Sequence, residues 1–283
     1  MKYQVTDSTP LIDAVGKLAP KSSKTTMKQW FSEGRILVDG SIARQLDMIL
    51  QPGQTVALGP RTRYLDGGMR IFYEDRDLVV IEKPAGLLSV STDFEKQDTA
   101  HAILKGAYSK RTVHVVHRLD QETSGVMVFA LSEKGKEGLK KLFASHDLIR
   151  EYQAIVEGHL DTMEGTWTSY LYEQPNYKVY VTNDTEKGQI AITHYLVEDV
   201  SRRHSRLKLT LETGRKNQIR VQCQEAGHPV VGDRKYGAKS DPIKRLALHA
   251  HRLEFIHPVS KKKLAFLSPS PESFERLVRG SLD

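Results

Sequence analysis

The run HRLDQETSG, His117 to Gly125, strings an imidazole, a guanidinium and a carboxylate along one short turn. Two apolar stretches flank it, TVHVV (Thr112 to Val116) and VMVFAL (Val126 to Leu131). Both flanks are rich in β-branched and aromatic side chains, so the spacing predicts two strands joined by a polar loop centred on Asp120. Loops held by strands are where binding and catalytic groups concentrate. Thr123 and Ser124 can return hydrogen bonds to the turn backbone, and Gly125 can take a positive φ. Taken alone, Arg118 and Asp120 also suit a surface ion pair on a plain hairpin, the commoner fate of such a pattern.

Outward from this loop the chain alternates short strands with occasional helices. SEKGKEGLKKLFASH predicts a helix with Ser132 as N-cap and Leu139, Leu142 and Phe143 as its apolar stripe. SRLKLTLET alternates, with Leu207, Leu209 and Leu211 turned inward and Arg206, Lys208 and Thr210 outward. RKNQIRVQCQEAG predicts a helix closed by Gly227, and near the end Ser270 and Pro271 open one bearing Phe274, Leu277 and Val278. Strands in runs with few intervening helices favour an α+β fold with a mixed, largely antiparallel central sheet flanked by helices.

Residues 1–60 predict a separate small module. KTTMKQWFSEG (Lys24 to Gly34) sets Met27, Trp30 and Phe31 at helical spacing, and Asp39-Gly40 marks a tight hairpin turn. RTRYLDGGMR, Arg61 to Arg70, is glycine-rich and poor in apolar residues, which predicts a linker, residues 61–70. Residues 71–283 are then the larger domain, which holds the HRLDQETSG loop.

The chain has 283 residues, 39% of them hydrophobic, enough for one large packed domain and a small one. A net charge of +7 favours a polyanionic partner. Residues 202–220 carry seven Lys or Arg against one acid, and residues 234–263 carry nine against two. Such clustering suits a surface that tracks phosphates. A single cysteine, Cys223, excludes an intrachain disulfide and a cysteine-cluster metal site; no metal or cofactor is expected. No run of about eighteen uncharged apolar residues occurs, and MKYQVTDSTPLID lacks an apolar signal core, so a cytoplasmic protein without membrane contact is expected. A monomer is the default.

The HRLDQETSG string resembles the signature of the RluA-type pseudouridine synthases, which isomerise uridine to pseudouridine in structured RNA. Five further blocks resemble that family in the same order: DLVVIEKPAGLLSV (Asp77 to Val90), REYQAIVEG (Arg150 to Gly158), LETGRKNQIRVQ (Leu211 to Gln222), GDRKYG (Gly232 to Gly237) and LALHAHRLEFIHP (Leu246 to Pro258). The resemblance spans roughly residues 70 to 280, a domain-sized stretch. It implies the pseudouridine synthase fold and makes Asp120 the catalytic nucleophile, acting on the sugar, on the ring or in an elimination. It further implies Arg220 as the cation beside Asp120, because a pocketed carboxylate needs one to stay ionised, and Tyr152 as the ring that stacks on uracil and assists proton removal. Substrate contacts implied with them are Arg118, His117, Thr123, Arg215, Gln218 and Leu248. Where the family often has histidine before QIR, this chain has Asn217, which implies altered support for the site. Residues 1–60 resemble the αL-type RNA-binding module of ribosomal proteins, with Lys21, Lys24, Lys28, Arg35 and Arg44 as its cations, although the proline in KLAPKSS is atypical.

Two readings compete with an RNA pseudouridine synthase acting on large-subunit ribosomal RNA or, second, on transfer RNA. A catalytically silent RNA-binding or assembly factor would show damage at Asp120, Tyr152 or Arg220, and none is present. A glycosidic hydrolase would call for a second acid near Asp120.

Overall fold

The computed structural model describes residues 2–32, 34–43, 45–59, 63–91 and 98–279. The chain divides into two compact units, Met1–Arg63 and Tyr64–Asp283.

In the first unit, strands Lys2–Gln4, Thr55–Leu58, Ile36–Val38 and Ser41–Ile42 lie side by side in that order. Asp39 and Gly40 both have positive φ, the conformation a two-residue hairpin turn requires, and they close Val38 onto Ser41. Helices Leu11–Leu18 and Lys24–Ser32 are separated at Ala19-Pro20, where the proline interrupts the basic segment. Met27 is buried with Leu11, Val15 and Ile36, and Trp30 and Phe31 pack against that core. The expected stripe is thus the inner face of the second helix. Arg44 lies outside the described residues.

In the second unit a twelve-stranded sheet carries the fold. Its main path runs Val179–Thr182, Glu164–Glu173, Gln189–Val200, His204–Leu211, Leu148–Glu157, Leu248–Ile256, Ser124–Ala130, Leu78–Lys83, Arg70–Glu74. Its named pairings are antiparallel except one: Ser124–Ala130 runs parallel to Leu248–Ile256 through Ser124↔His249 and Gly125↔Ala250. A Cβ at Gly125 would stand 2.2 Å from the Ala250 carbonyl oxygen, so this crossing admits only glycine. Ser124–Ala130 is buried on both faces, which is why it reads as a continuous apolar run. Met127 and Phe129 pack with Leu104 of helix Ala100–Ala107, while Val126 and Val128 pack with Leu139 of helix Glu133–Ser145. A third core joins Leu207, Leu209 and Leu211 to Ile219 and Cys223 of helix Gln218–Glu225 and to Phe274 and Leu277 of helix Glu272–Val278.

The α+β expectation holds, and several local readings are refined. Ser132 caps its helix by accepting from the Gly135 N–H at 3.0 Å. Ser270 does not cap; its hydroxyl turns to Gln153, and the last helix begins at Glu272 after Pro271. Arg206, read as part of a basic face, pairs with Glu275 at 2.9 Å. The tether expected at Arg61–Arg70 is structured over its described part: Arg63–Tyr64 is strand, Asp66–Gly68 is one turn of 3-10 helix, and Met69 is fully buried.

Candidate active site

Asp120 sits on a loop clamped from both sides by the segment after strand Leu78–Lys83. The Ser89 hydroxyl donates to the Leu119 carbonyl at 2.7 Å and accepts from the Leu119 N–H at 3.1 Å. On the other side the fully buried Lys83 ammonium donates to the carbonyls of Pro84, Leu87 and Gln121 at 3.0, 2.6 and 2.9 Å. The Gly86 N–H also donates to the Gln121 carbonyl at 3.0 Å. Backbone atoms next to Asp120 are therefore fixed by side chains some thirty to forty residues away, and the carboxylate is presented without freedom to swing with its loop.

The carboxylate meets two donors from the start of helix Gln218–Glu225. Arg220 Nη1 lies 3.3 Å from Asp120 Oδ2. With the Asn217 amide oriented to satisfy both its neighbours, its nitrogen donates to Asp120 Oδ1 at 3.1 Å and Oδ2 at 2.7 Å, while its oxygen accepts from Tyr236 Oη at 2.9 Å. Asn217 adopts a left-handed φ of 55°, which asparagine tolerates better than most side chains and which aims its amide into the site.

Arg220 is itself held. Its Nε donates to Asp233 Oδ2 at 2.6 Å and its Nη2 to Asp233 Oδ1 at 2.7 Å, a two-pronged pair on a carboxylate with no solvent exposure. The guanidinium lies over the Tyr236 ring, 5.0 Å from its centroid. Burial opposes the charge on Arg220, but the hydrogen bonds and charge of Asp233, with Asp120 added, outweigh it and raise the pKa.

Tyr152 enters the same cavity from strand Leu148–Glu157. A bulge sets its direction: Glu151 pairs with Arg252 and Tyr152 with Ala250, so His251 is the extra residue on the neighbouring strand. The ring packs where two of the hydrophobic cores meet. Burial raises the phenol pKa, the nearby Arg150 opposes the rise and Asp120 adds to it, so Tyr152 is a neutral phenol at neutral pH. The cavity is lined by Arg118, Asp120, Thr123, Tyr152, Asn217, Gln218, Arg220 and Leu248 among others, and Asp120 is its single carboxylate.

Seven of the nine residues singled out in this domain thus line one cavity: Asp120, Tyr152, Arg220, Arg118, Thr123, Leu248 and Gln218. Gln218 borders it but is fully engaged elsewhere: its Oε1 accepts from Thr213 and from the Arg215 N–H, and its Nε2 donates to Ile192 and Thr193. These four bonds tie the loop to the neighbouring strand. His117 stands behind the loop, its Nε2 accepting the Val128 N–H at 3.0 Å and its ring stacked on Phe143. Burial, reinforced by Arg150, lowers its pKa to about 3, so it is a neutral structural group. Arg215 is exposed, donates to the Ile190 carbonyl at 3.0 Å and does not line the Asp120 cavity. Asp233 and Tyr236 were missed. Both lie in the quoted GDRKYG block, and the fully buried tyrosine beside an acid is the signal that a search for Arg220's partner could have used.

Among the described residues no group of His, Cys, Asp or Glu could hold a metal ion, and no helix is long and apolar enough to cross a membrane.

A model of the family described as RNA pseudouridylate synthase matches residues 77–225. A ribosomal large subunit pseudouridine synthase D of Xanthomonas campestris is 36% identical over 293 residues, covering 94% of this chain and 87% of that protein. The Escherichia coli K12 protein of the same name is 30% identical over 292 residues, covering 95% and 89%. An uncharacterized RNA pseudouridine synthase of Bacillus subtilis, YhcT, is 32% identical over 283 residues, covering 94% and 91%. Human RNA pseudouridylate synthase domain containing 4 shares the fold, with TM-score 0.61, 24% identity and coverage of 74% of this chain and 91% of that one. Fold, site and relatives agree: the chain belongs to the RNA pseudouridylate synthase family, within its RluA type. It is accordingly an isomerase that makes pseudouridine in RNA.

Proposed function

We propose that this enzyme modifies uridine in large-subunit ribosomal RNA, with Asp120 as its nucleophile. The observation that carries the chemical part is the environment of Asp120: the one acid in its cavity, fixed by its loop, with Arg220 and Asn217 on its oxygens and the Tyr152 phenol facing the same space. Isomerisation must break a glycosidic bond, turn the ring and rejoin it at carbon 5, with one proton removed and no redox change. A single oriented carboxylate is suited to attack or to stabilise the separated pieces. A two-carboxylate hydrolase would need a second acid in the cavity, and the lining holds none.

Tyr152 is placed to stack on the freed ring and, as a neutral phenol, to relay the carbon 5 proton rather than to hold a standing negative charge. Thr123 and Leu248, both buried, wall the base. Arg118 is exposed beside Asp120 and suits either the place left by an extruded nucleotide or its adjoining phosphate. The large-subunit target is suggested by the names of the relatives in Xanthomonas and Escherichia. Residues 1–60 serve, in this reading, as a separate RNA-binding module whose Lys21, Lys24 and Lys28 are exposed, with Arg35 over the Trp30 ring. The protein acts as a monomer.

RNA from a strain lacking the gene, incubated with the pure protein and mapped for pseudouridine, tests the target. Modified sites confined to transfer RNA would overturn the ribosomal assignment. Asp120→Asn should bind the same RNA but yield no product, and product from that variant would overturn the nucleophile. Tyr152→Phe should bind comparably and fail in turnover.

A further inference from the structure

A second cleft, of about 370 Å³, shares Arg118, Tyr152 and Leu211 with the catalytic cavity. Its remaining wall adds Arg150, Arg215 and His146, and no carboxylate lines it. Three arginines with no carboxylate among the lining residues give this cleft a positive potential that favours an anionic occupant.

Arg150 makes the case sharper. Only 8% of it is exposed, yet its Nε has no hydrogen-bond partner. Its Nη2 donates to the Glu212 backbone carbonyl at 2.8 Å, and its guanidinium lies 5.7 Å from the centroid of the Phe143 ring. Burial disfavours its charge, and no carboxylate opposes that effect. Arg220, by contrast, carries two acids. A buried cation without a counter-ion is costly and persists where a ligand supplies one. Room for the group is built in: a Cβ at Gly214 would stand 2.5 Å from Arg150 Nη1, so the glycine of the TGR loop is what lets the guanidinium reach the cleft.

We propose that this cleft seats the phosphodiester directly adjacent to the target uridine, with Arg150 as its buried anchor and Arg118 and Arg215 closing from the exposed side. A phosphate offers the planar oxygen pairs that guanidinium forks match, and one joined to the uridine must lie beside the cavity that holds the base. The subsite rests on Asp120 being the reacting group. It fails separately from that reading, because Asp120→Asn removes product whatever RNA is offered, whereas the loss of this contact weakens substrate binding.

The test is ethylation interference on the RNA whose modified uridine has been mapped, with phosphates neutralised at random and turnover followed for wild type, Arg150→Gln and Gly214→Ala. Loss of a charge-assisted contact should raise KM about tenfold to a hundredfold in Arg150→Gln, with kcat changing far less. Gly214→Ala keeps the charge but displaces it, and should raise KM in the same direction. In the wild type, ethylation of a phosphate flanking the uridine should block turnover, the 5′ or 3′ side being read directly. In Arg150→Gln the same ethylation should cost markedly less, since only the exposed Arg118 and Arg215 contacts remain to be lost. An unchanged KM in either variant would overturn the proposal, as would interference that persists undiminished in Arg150→Gln or is absent at both flanking phosphates in the wild type. Should Arg150→Gln lose its cooperative unfolding transition, the KM and interference pattern of Gly214→Ala decide alone.

Discussion

Asp233 grips Arg220 by two hydrogen bonds, 2.6 Å to Nε and 2.7 Å to Nη2, and so leaves Nη1 as the nitrogen that reaches Asp120 at 3.3 Å. The guanidinium works as a jig: one carboxylate with no solvent exposure sets its plane, and the other receives its free edge. Placement of Asp120's partner is therefore decided by a residue that does not line the cavity.

Removing the grip should cost both stability and rate. Asp233→Ala leaves a buried cation short of its main counter-ion, and such losses amount to about 3–5 kcal/mol. The freed guanidinium also loses its aim, and a misplacement of this kind lowers kcat by about a hundredfold. Urea unfolding and single-turnover kinetics would check the two effects separately. A variant as stable and as fast as wild type would show that Arg220 needs no such support.

Asn217 should be replaceable only by a donor. Asn217→Asp keeps shape and tolerates the left-handed backbone but sets a second carboxylate against Asp120. Two acids at this distance share a proton, and the pair resists full ionisation. Turnover of this variant should be poor at neutral and alkaline pH and recover partly as the pH is lowered and the new acid becomes a donor. Asn217→His, which restores an N–H, should retain activity. A pH–rate profile parallel to wild type in Asn217→Asp would remove the amide from the account.

Stability should decline on mild acidification. His117 has a folded pKa of about 3 against an ordinary value of 6.5, and His249 is lowered to about 4, burial being the largest cause in both. The unfolded chain binds protons first, so the contribution of each neutral ring is complete above 6.5 and is lost as pH falls toward these values. The slope per group is at most about 1.4 kcal/mol per pH unit. His117→Asn should flatten the dependence of Tm on pH between 6.5 and 4; an unchanged slope would mean that the ring is not kept neutral.

RNA affinity should fall steeply with added salt, because contacts between cations and phosphates release counterions. Charge reversal of the exposed Lys21, Lys24 and Lys28 to glutamate, in the intact chain, should reduce both affinity and the salt slope while sparing turnover of a minimal substrate. Filter binding across a salt series measures both. Unaltered binding would remove the N-terminal unit from RNA recognition.

Much of the local architecture was legible in the sequence. Leu207, Leu209 and Leu211 point into a core, Gly227 ends its helix with a positive φ, and Ser132 caps, because exposure and turn geometry leave marks at short spacing. Which charged groups meet did not show. The basic run at 202–220 disperses in space: Arg206 goes to Glu275, Lys216 to Glu173, Arg220 to Asp120 and Asp233, and Arg215 to the edge of a separate cleft.

By itself the sequence determined the α+β class, most of the elements and Asp120 as the candidate acid, since the six collinear blocks and the polar loop between two apolar strands are readable without a third dimension. Only the tertiary structure decided what surrounds that acid. Arg220 stands 100 residues from Asp120 along the chain, and the order of the strands together with the parallel crossing at Gly125 and Ala250 is what brings them within hydrogen-bonding reach. Patterning records whether a side chain faces core or solvent; it carries no record of which distant side chain it faces there, because that depends on how the strands are ordered and not on their period.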